Sequence, residues 1–393
     1  MSYAVYQLTG IKLIFGNDAL QELKNELNRL AVNRVLLVTD RGIVNAGILK
    51  KIKDHLYFEE QPYEVFDEVI SDPLDTIVMK GVKLYKEKGC DGVISIGGGS
   101  SMDTAKCISI MSRHDGNILD YARSTPNHKD FSQKGCPIIS IPTTSGTGSE
   151  VSQYAVITNE KTHRKTTISS PYILSDTVFL NPEFTVTMPK EITAYTGMDA
   201  LAHAVDAYTH KTAIEEDVKI SDVCALEAIS LIGENLVKAY QKPDDINARE
   251  NMMWASLLAG VALNIGAGES HALGSMLSKY YGVSHGVSVG IPLPYCMEYN
   301  VKASYQRFAN IAKALGCDTE KCDLKKAALL ASEKVKEILK LIDFPNMSDY
   351  IKDITEVEVF AQECANNSCC VSNQRMNHKQ AILDVFTMAM KGE

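Results

Sequence analysis

Two periodicities divide this chain of 393 residues. In the first part, short apolar runs alternate with amphipathic stretches. "RVLLVTD" (34–40) is a β-branched apolar run that stops at Asp40, "DTIVMKGVKLYKEKG" (75–89) repeats its apolar residues at helical spacing, and "GVISIGG" (92–98) is strand-like again. "CPIISIPTTSGTGSE" (136–150) adds a further buried strand that runs into a loop of small polar residues. Strand, helix and strand in that order predict a parallel sheet covered by helices. Beyond Pro189 period-2 runs almost vanish, and helical spacing recurs in 199–209, 219–240, 247–266, 303–315 and 324–340. Pro182 and Pro189 punctuate the change. The pattern therefore predicts an α/β domain with a parallel sheet over residues 1–188 and an all-α domain over 189–393. No internal repeat or low-complexity segment interrupts either part.

Composition and charge remove several function classes. A net charge of -9 and an isoelectric point near 5.6 disfavour a surface built to neutralise phosphates, and no Lys/Arg block concentrates positive charge, so nucleic acid is not an expected partner. No apolar run approaches the roughly 20 residues that cross a bilayer. The opening "MSYAVYQLTG" lacks a basic stretch leading into an apolar one, so the expectation is a cytoplasmic protein without a membrane partner. The ten cysteines include no Cys-x-x-Cys, and Cys369 and Cys370 are adjacent, a pattern of free, mostly buried thiols.

Candidate chemistry sits in two places. In "ISIGGGSSMDTAKC" (94–107), Gly97, Gly98 and Gly99 leave room for a ligand against the backbone, and the helix that follows offers unpaired N–H groups to a phosphate. The spacing is neither the G-x-G-x-x-G of a standard dinucleotide loop nor an ATPase loop, and a tight turn alone would use the same residues. Asp40, at the end of an earlier strand, suits a ribose 2′-hydroxyl and would repel a 2′-phosphate, which favours NAD over NADP; capping a turn is the simpler use of such a residue. In the helical part, Asp199 and His203 stand four residues apart on one helix face, and His271 and His285 follow fourteen residues from each other. One carboxylate and three imidazoles suit a divalent ion such as iron or zinc if they converge. The remaining histidines, His55, His114, His128, His163, His210 and His378, lie in polar contexts and are expected to be solvated.

These segments together carry a family resemblance. "DGVISIGGGSSMDTAK", "PTTSGTGSEVSQYAVIT", "TGMDALAHAVDAY" and "GVSHGVSVGIPLP" make the sequence similar, over nearly its whole length, to the iron-containing or type III alcohol dehydrogenases. The resemblance implies a dehydroquinate synthase-like fold, an N-terminal NAD-binding domain and a C-terminal metal domain. It implies that Gly97, Gly98, Gly99 and Ser100 cradle the pyrophosphate, with Asp40, Asp72, Asp103, Thr143, Thr144, Ser152 and Lys165 around the rest of the cofactor. It assigns the metal, Fe2+ first and Zn2+ as the alternative, to Asp199, His203, His271 and His285. It further implies a small alcohol or aldehyde substrate and a homo-oligomer, a dimer or larger.

The chain also departs from that family. Many relatives carry a second histidine four residues after the one matching His271, which relays a proton; here the residue is Ser275, and a hydroxyl and water chain is the expected replacement. Ala262 stands where phenylalanine is frequent, and Tyr154 and Cys369 match positions that face the substrate in relatives. Glu269, two residues before His271, is an unusual carboxylate expected behind the metal site or at the surface. The activity implied is hydride transfer between nicotinamide and a metal-bound alcohol or aldehyde. A hydroxy-acid enzyme, such as a 4-hydroxybutyrate dehydrogenase or a hydroxyacid-oxoacid transhydrogenase, shares the motifs. A dehydroquinate-synthase-like lyase and a non-catalytic nucleotide-binding protein are the more distant alternatives.

Overall fold

The computed structural model describes residues 10–215, 218–375 and 378–392. The opening segment Met1–Thr9, read above for a targeting signal, lies outside the described residues. The described chain separates into two compact units: one holds residues 10–144 and Gly148–Met188, and the other holds Ser145–Thr147 together with the described residues from Pro189 onward.

The first unit is built on six parallel strands, β1 (Lys12–Phe15), β2 (Val35–Asp40), β3 (Tyr63–Val69), β4 (Gly92–Gly97), β5 (Ile138–Pro142) and β8 (Thr177–Leu180), in the order β1-β8-β5-β4-β2-β3. A separate antiparallel hairpin, β6 (Tyr154–Thr158) and β7 (Lys165–Ser169), pairs Tyr154 with Ser169. Alternation along β2 and β4 fills two cores. Val35, Leu37, Ile94 and Ile96 pack with Ile48, Ile52 and Leu56 of the Ile48–Phe58 helix on one face. Leu36, Val38 and Val93 pack with Val78, Val82, Ala105 and Ile108 of the helices Asp75–Glu87 and Gly99–Met111 on the other. Burying each such aliphatic side chain contributes about 1.5–3 kcal/mol.

This arrangement positions the first site. The helix that follows β2 and the helix that follows β4 leave on opposite faces, although β2 and β4 are neighbours. The chain therefore makes a topological switch between them, where a crevice opens beyond the carboxyl ends of the strands. Asp40 ends β2, Gly97 ends β4 and Thr143 follows β5, so all three lie on that edge.

The second unit is helical. Its central helix, Lys190–Tyr208, is buried at every residue from Gly197 to Tyr208. A helix with no solvent face needs neighbours all round, and the helices Lys219–Gln241, Ile246–Leu263 and His285–Gly290 supply them. Ala200, Ala202, Ala204 and Ala207 keep those neighbours close. The same burial places Asp199, His203 and Asp206 inside the unit, where polar groups must be satisfied by each other or by a ligand.

Candidate functional site

At the carboxyl edge of the sheet the chain builds a cradle. Gly97 has φ +149°, and a Cβ there would meet Ser101 Oγ at 2.6 Å and Asp40 Oδ2 at 3.3 Å, so only glycine fits. Asp40 accepts the Ile43 N–H at 3.1 Å and the Ser101 hydroxyl at 3.0 Å, which turns its carboxylate toward the glycine loop. Gly98 caps the Gly99–Met111 helix without any side-chain hydrogen bond, leaving that amino end open. Beside it, Thr143 Oγ1 and Thr144 Oγ1 are buried and find no partner, while the Thr143 N–H is held by the Gly97 carbonyl at 3.0 Å. A glycine turn, an uncapped helix amino end and two orphaned hydroxyls fit a pyrophosphate, so these residues suit a dinucleotide.

The other residues expected around the cofactor divide into two groups. Asp72, at φ +53°, pairs with Lys165 Nζ at 2.7 Å, so these two meet each other. Both oxygens of Asp103 are engaged, one by the Ser149 hydroxyl at 2.6 Å and one by the Val156 N–H at 2.9 Å. Ser152 lies next to buried Lys106, a residue that the sequence pattern did not single out.

In the helical unit the four expected ligands converge. One ligand atom from each of Asp199, His203, His271 and His285 lies within 4.8 Å of all the others. Asp199 Oδ1 is 3.7 Å from His203 Nε2, 3.7 Å from His271 Nε2 and 3.5 Å from His285 Nε2. Those separations are too long for hydrogen bonds, and Asp199 Oδ1 and His271 Nε2 are indeed buried without a partner. Two ligands each about 2.1 Å from one tetrahedral ion stand about 3.4 Å apart, so the spacing and the orphaned atoms fit a shared divalent cation.

The outer contacts prepare these atoms. His271 Nδ1 donates to Asp206 Oδ2 at 2.7 Å, which leaves Nε2 as the ring atom facing Asp199. Asp206 Oδ2 also accepts Ser270 Oγ at 2.8 Å and Gly268 N at 2.9 Å. His203 Nδ1 donates to the Gly146 carbonyl at 3.3 Å, which likewise frees its Nε2. Gly146 lies so close to the central helix that a Cβ would come within 2.5 Å of the Thr196 carbonyl. The electrostatics suit a cation at this point. Burial works against an ionised Asp199, yet the imidazoles hold its carboxyl far below the usual range. Burial also disfavours charge on His271, but Asp199 and Asp206 outweigh it and raise its pKa to about 9. Burial lowers that of His203 and keeps its ring neutral, the form that ligates.

The solvated reading of two histidines needs correction, and the other residues singled out take the following places. His114 and His210 are buried, not solvated: His114 Nδ1 donates to the Ile110 carbonyl at 2.7 Å and its Nε2 accepts the Ser132 N–H at 3.1 Å, while His210 Nδ1 accepts the Thr212 N–H at 3.2 Å. Of the two places expected for Glu269, behind the metal site or at the surface, burial leaves the first. It is 1 % exposed, with Oε2 accepting the Asn300 amide at 2.6 Å and Oε1 unpartnered, and burial raises its pKa to about 8. Ser275 Oγ donates back to the His271 carbonyl at 2.8 Å. Ala262 is fully buried in the helical core, Tyr154 opens β6, and Cys369 lies on the short Ser368–Val371 helix with burial pushing its thiol up to about 12. Asp206 was missed, although its place three residues after His203 and seven after Asp199 on one helix is a readable signal.

Comparison with known proteins bears on both units. The model of the family described as iron-containing alcohol dehydrogenase matches residues 11–182, and that of the Fe-containing alcohol dehydrogenase family, C-terminal part, matches 193–390. The chain is 35% identical to the choline dehydrogenase of Bacillus subtilis (strain 168), covering 93% of this chain and 90% of that one. It is 32% identical to the NAD-dependent methanol dehydrogenase of Bacillus methanolicus, over 96% and 97% of the two chains. A crystal structure of 1,3-propanediol oxidoreductase superposes with a TM-score of 0.90 at 32% identity, covering 96% of this chain and 97% of that one.

Proposed function

Because the chain belongs to the iron-containing alcohol dehydrogenase family, and is thereby an oxidoreductase acting on CH–OH groups, we propose that it interconverts a small alcohol and its aldehyde, with NAD as hydride carrier and a divalent cation, iron first and zinc second, held by Asp199, His203, His271 and His285. The observation that carries this is the set of four ligand atoms, two of them buried and orphaned, at the spacing of one coordination sphere. When bound, the cation supplies Lewis acidity toward an alcohol or carbonyl oxygen, and the nicotinamide accepts or returns the hydride.

The chain's own residues do the rest. Asp206 holds His271 with Nδ1 protonated, and Gly146 does the same for His203, so both rings present Nε2 without rearrangement. Gly97 to Ser100 and the open helix amino end bind the pyrophosphate, and Asp40 accepts from the ribose and excludes a 2′-phosphate. Ser275 takes the place of the relay histidine; its hydroxyl must turn away from the His271 carbonyl to pass a proton along water. Tyr154, Ala262 and Cys369 are the substrate-side positions, and Asp72, Asp103, Thr143, Thr144, Ser152 and Lys165 complete the cofactor set.

Small neutral or cationic alcohols are the favoured substrates, by likeness to the choline and methanol dehydrogenases and the 1,3-propanediol oxidoreductase. The buried Glu269 carboxyl, two residues before a ligand, has its pKa raised to about 8 and is protonated near neutral pH, so it carries no charge to repel 4-hydroxybutyrate and other hydroxy acids, which stand as the second reading. A homo-oligomer, dimer or larger, is proposed from the likeness to the family, with the exposed apolar side chain of Leu13 on β1 as a surface available for contact. A cytoplasmic setting is supported by ten free thiols and by the lack, among the described residues, of a helix long and apolar enough to cross a membrane.

The test is an anaerobic activity screen of metal-stripped protein, reloaded with Fe(II) or Zn(II), following NADH absorbance with primary alcohols, diols, choline, aldehydes and 4-hydroxybutyrate. Metal-restored, NAD-linked turnover of an alcohol supports the proposal. Turnover of none, with metal and NADH both bound, rejects it.

A further inference from the structure

Lys106 is a buried cation that the chemistry above does not use. It lies on the Gly99–Met111 helix and exposes none of its surface. Taking an ammonium out of water is costly unless every proton finds an acceptor. Here each does: Nζ donates to Ser149 Oγ at 2.8 Å, to the Tyr154 carbonyl at 2.8 Å and to the Ser152 carbonyl at 3.0 Å, with Ser152 Oγ at 3.4 Å alongside. Three residues earlier on the same helix face, Asp103 takes the Ser149 hydroxyl and the Val156 N–H. Asp103 and Glu150 offset the lysine charge.

The acceptors all belong to one short segment, 149–154, which follows the Thr143 and Thr144 edge of the cradle and contains Ser152. Within the segment the Ser152 hydroxyl reaches the Tyr154 carbonyl only at 3.4 Å, a weak bond beside the 2.8 Å one from Lys106. A long side chain with several donors, reaching across from the neighbouring helix, ties Ser149, Ser152 and Tyr154 together; an apolar replacement removes all three of these donated hydrogen bonds. The helix that supplies Lys106 is the one whose amino end is the phosphate-binding wall.

We propose that Lys106, seconded by Asp103, is the positioning residue of the nucleotide cradle: it locks the 149–154 segment to the glycine-loop helix so that both walls of the dinucleotide site are preformed. Lys106 touches neither cofactor nor substrate in this role. Preformed walls reduce the ordering cost of binding, so loss of the lock appears in cofactor affinity and not in the chemical step. The inference rests on the NAD-linked function proposed above.

The experiment is steady-state kinetics and NADH fluorescence titration of Lys106→Met and Lys106→Arg beside the wild type. The wild type is titrated first; if it binds no NADH, the functional proposal fails and the role of Lys106 is not what failed. With Lys106→Met the expected result is a rise of about tenfold in KM for NAD and in Kd for NADH. Turnover at saturating NAD, KM for the alcohol and bound iron stay within about twofold of wild type, and Lys106→Arg recovers part of the affinity. A folded Lys106→Met with unchanged KM for NAD, or with a fall in turnover alone, overturns the proposal. If Lys106→Met does not fold, Ser149→Ala decides in its place, with about a threefold rise in KM for NAD expected and an unchanged KM counting against the lock.

Discussion

The two units solve their binding problems with different materials. In the α/β unit the cradle is mostly backbone: a glycine at φ +149°, an uncapped helix amino end and hydroxyls at the edge of a loop. In the helical unit the centre is all side chain, four ligands projecting from rigid helices into the interior. A backbone site depends on what keeps its walls apart, since no single side chain makes it. A side-chain site depends on what orients each ring, because an imidazole turned about its bond presents the wrong atom. The supporting residues follow from this. Lys106 and Asp103 tie segments together in one unit, whereas Asp206 and the Gly146 carbonyl fix ring tautomers in the other.

Removal of Asp206 strikes the second strategy hardest. Asp206→Ala frees His271 Nδ1 and leaves Ser270 Oγ and the Gly268 N–H without their acceptor. Iron affinity is expected to fall about 10–100-fold, measured by competition with a chelator, with turnover recovering in excess Fe(II). An unchanged affinity would mean that the helices alone orient the ring.

In the cradle the corresponding probe is Asp40→Ala, which leaves the glycines in place. Preference for NAD over NADP, read as the ratio of kcat/KM values, is expected to drop about tenfold through loss of NAD binding and relief of repulsion. A ratio unaffected by the change would show that Asp40 only caps the turn at Ile43.

The smallest effect tests burial without any ligand. Glu150 is 2 % exposed, and burial raises its pKa to about 7, above the ordinary 4.5. The folded chain therefore holds a proton that the unfolded chain releases, and stability from this group falls as pH rises from about 4.5 to 7. Glu150→Gln should match the wild type near pH 5 and exceed it by a few degrees in Tm at pH 8, measured by scanning calorimetry. Equal Tm values at both pH values would show that Lys106 neutralises the carboxylate fully.

How much of this was legible in the sequence follows the same division. The strands β2, β4 and β5 are continuous apolar runs because helices cover both faces, and they could be read directly. β3 could not: "YEVFDEV" lies at a sheet edge and carries charges every few residues. β1 and β8 have four residues each, too short for a periodic signal. The Asp199/His203 pair was readable from its spacing; His271 and His285, on separate helices, were candidates from the sequence whose convergence no spacing could show, and the family resemblance assigned all four. Nothing local marked Lys106 as buried, since a lysine on a helix is ordinarily solvated and only the loop folding over it decides otherwise. His114 and His210 misled in the same way, because long-range packing buries them in otherwise polar stretches.

All four ligand atoms are assigned to one ion. The most direct measurement is the iron bound per chain, by elemental analysis after anaerobic loading and desalting, for the wild type and for His203→Ala. The prediction is one tightly held ion in the wild type and loss of that ion, together with NAD-linked turnover, in a variant that remains folded. Retention of a full equivalent of iron by folded His203→Ala would contradict the assignment.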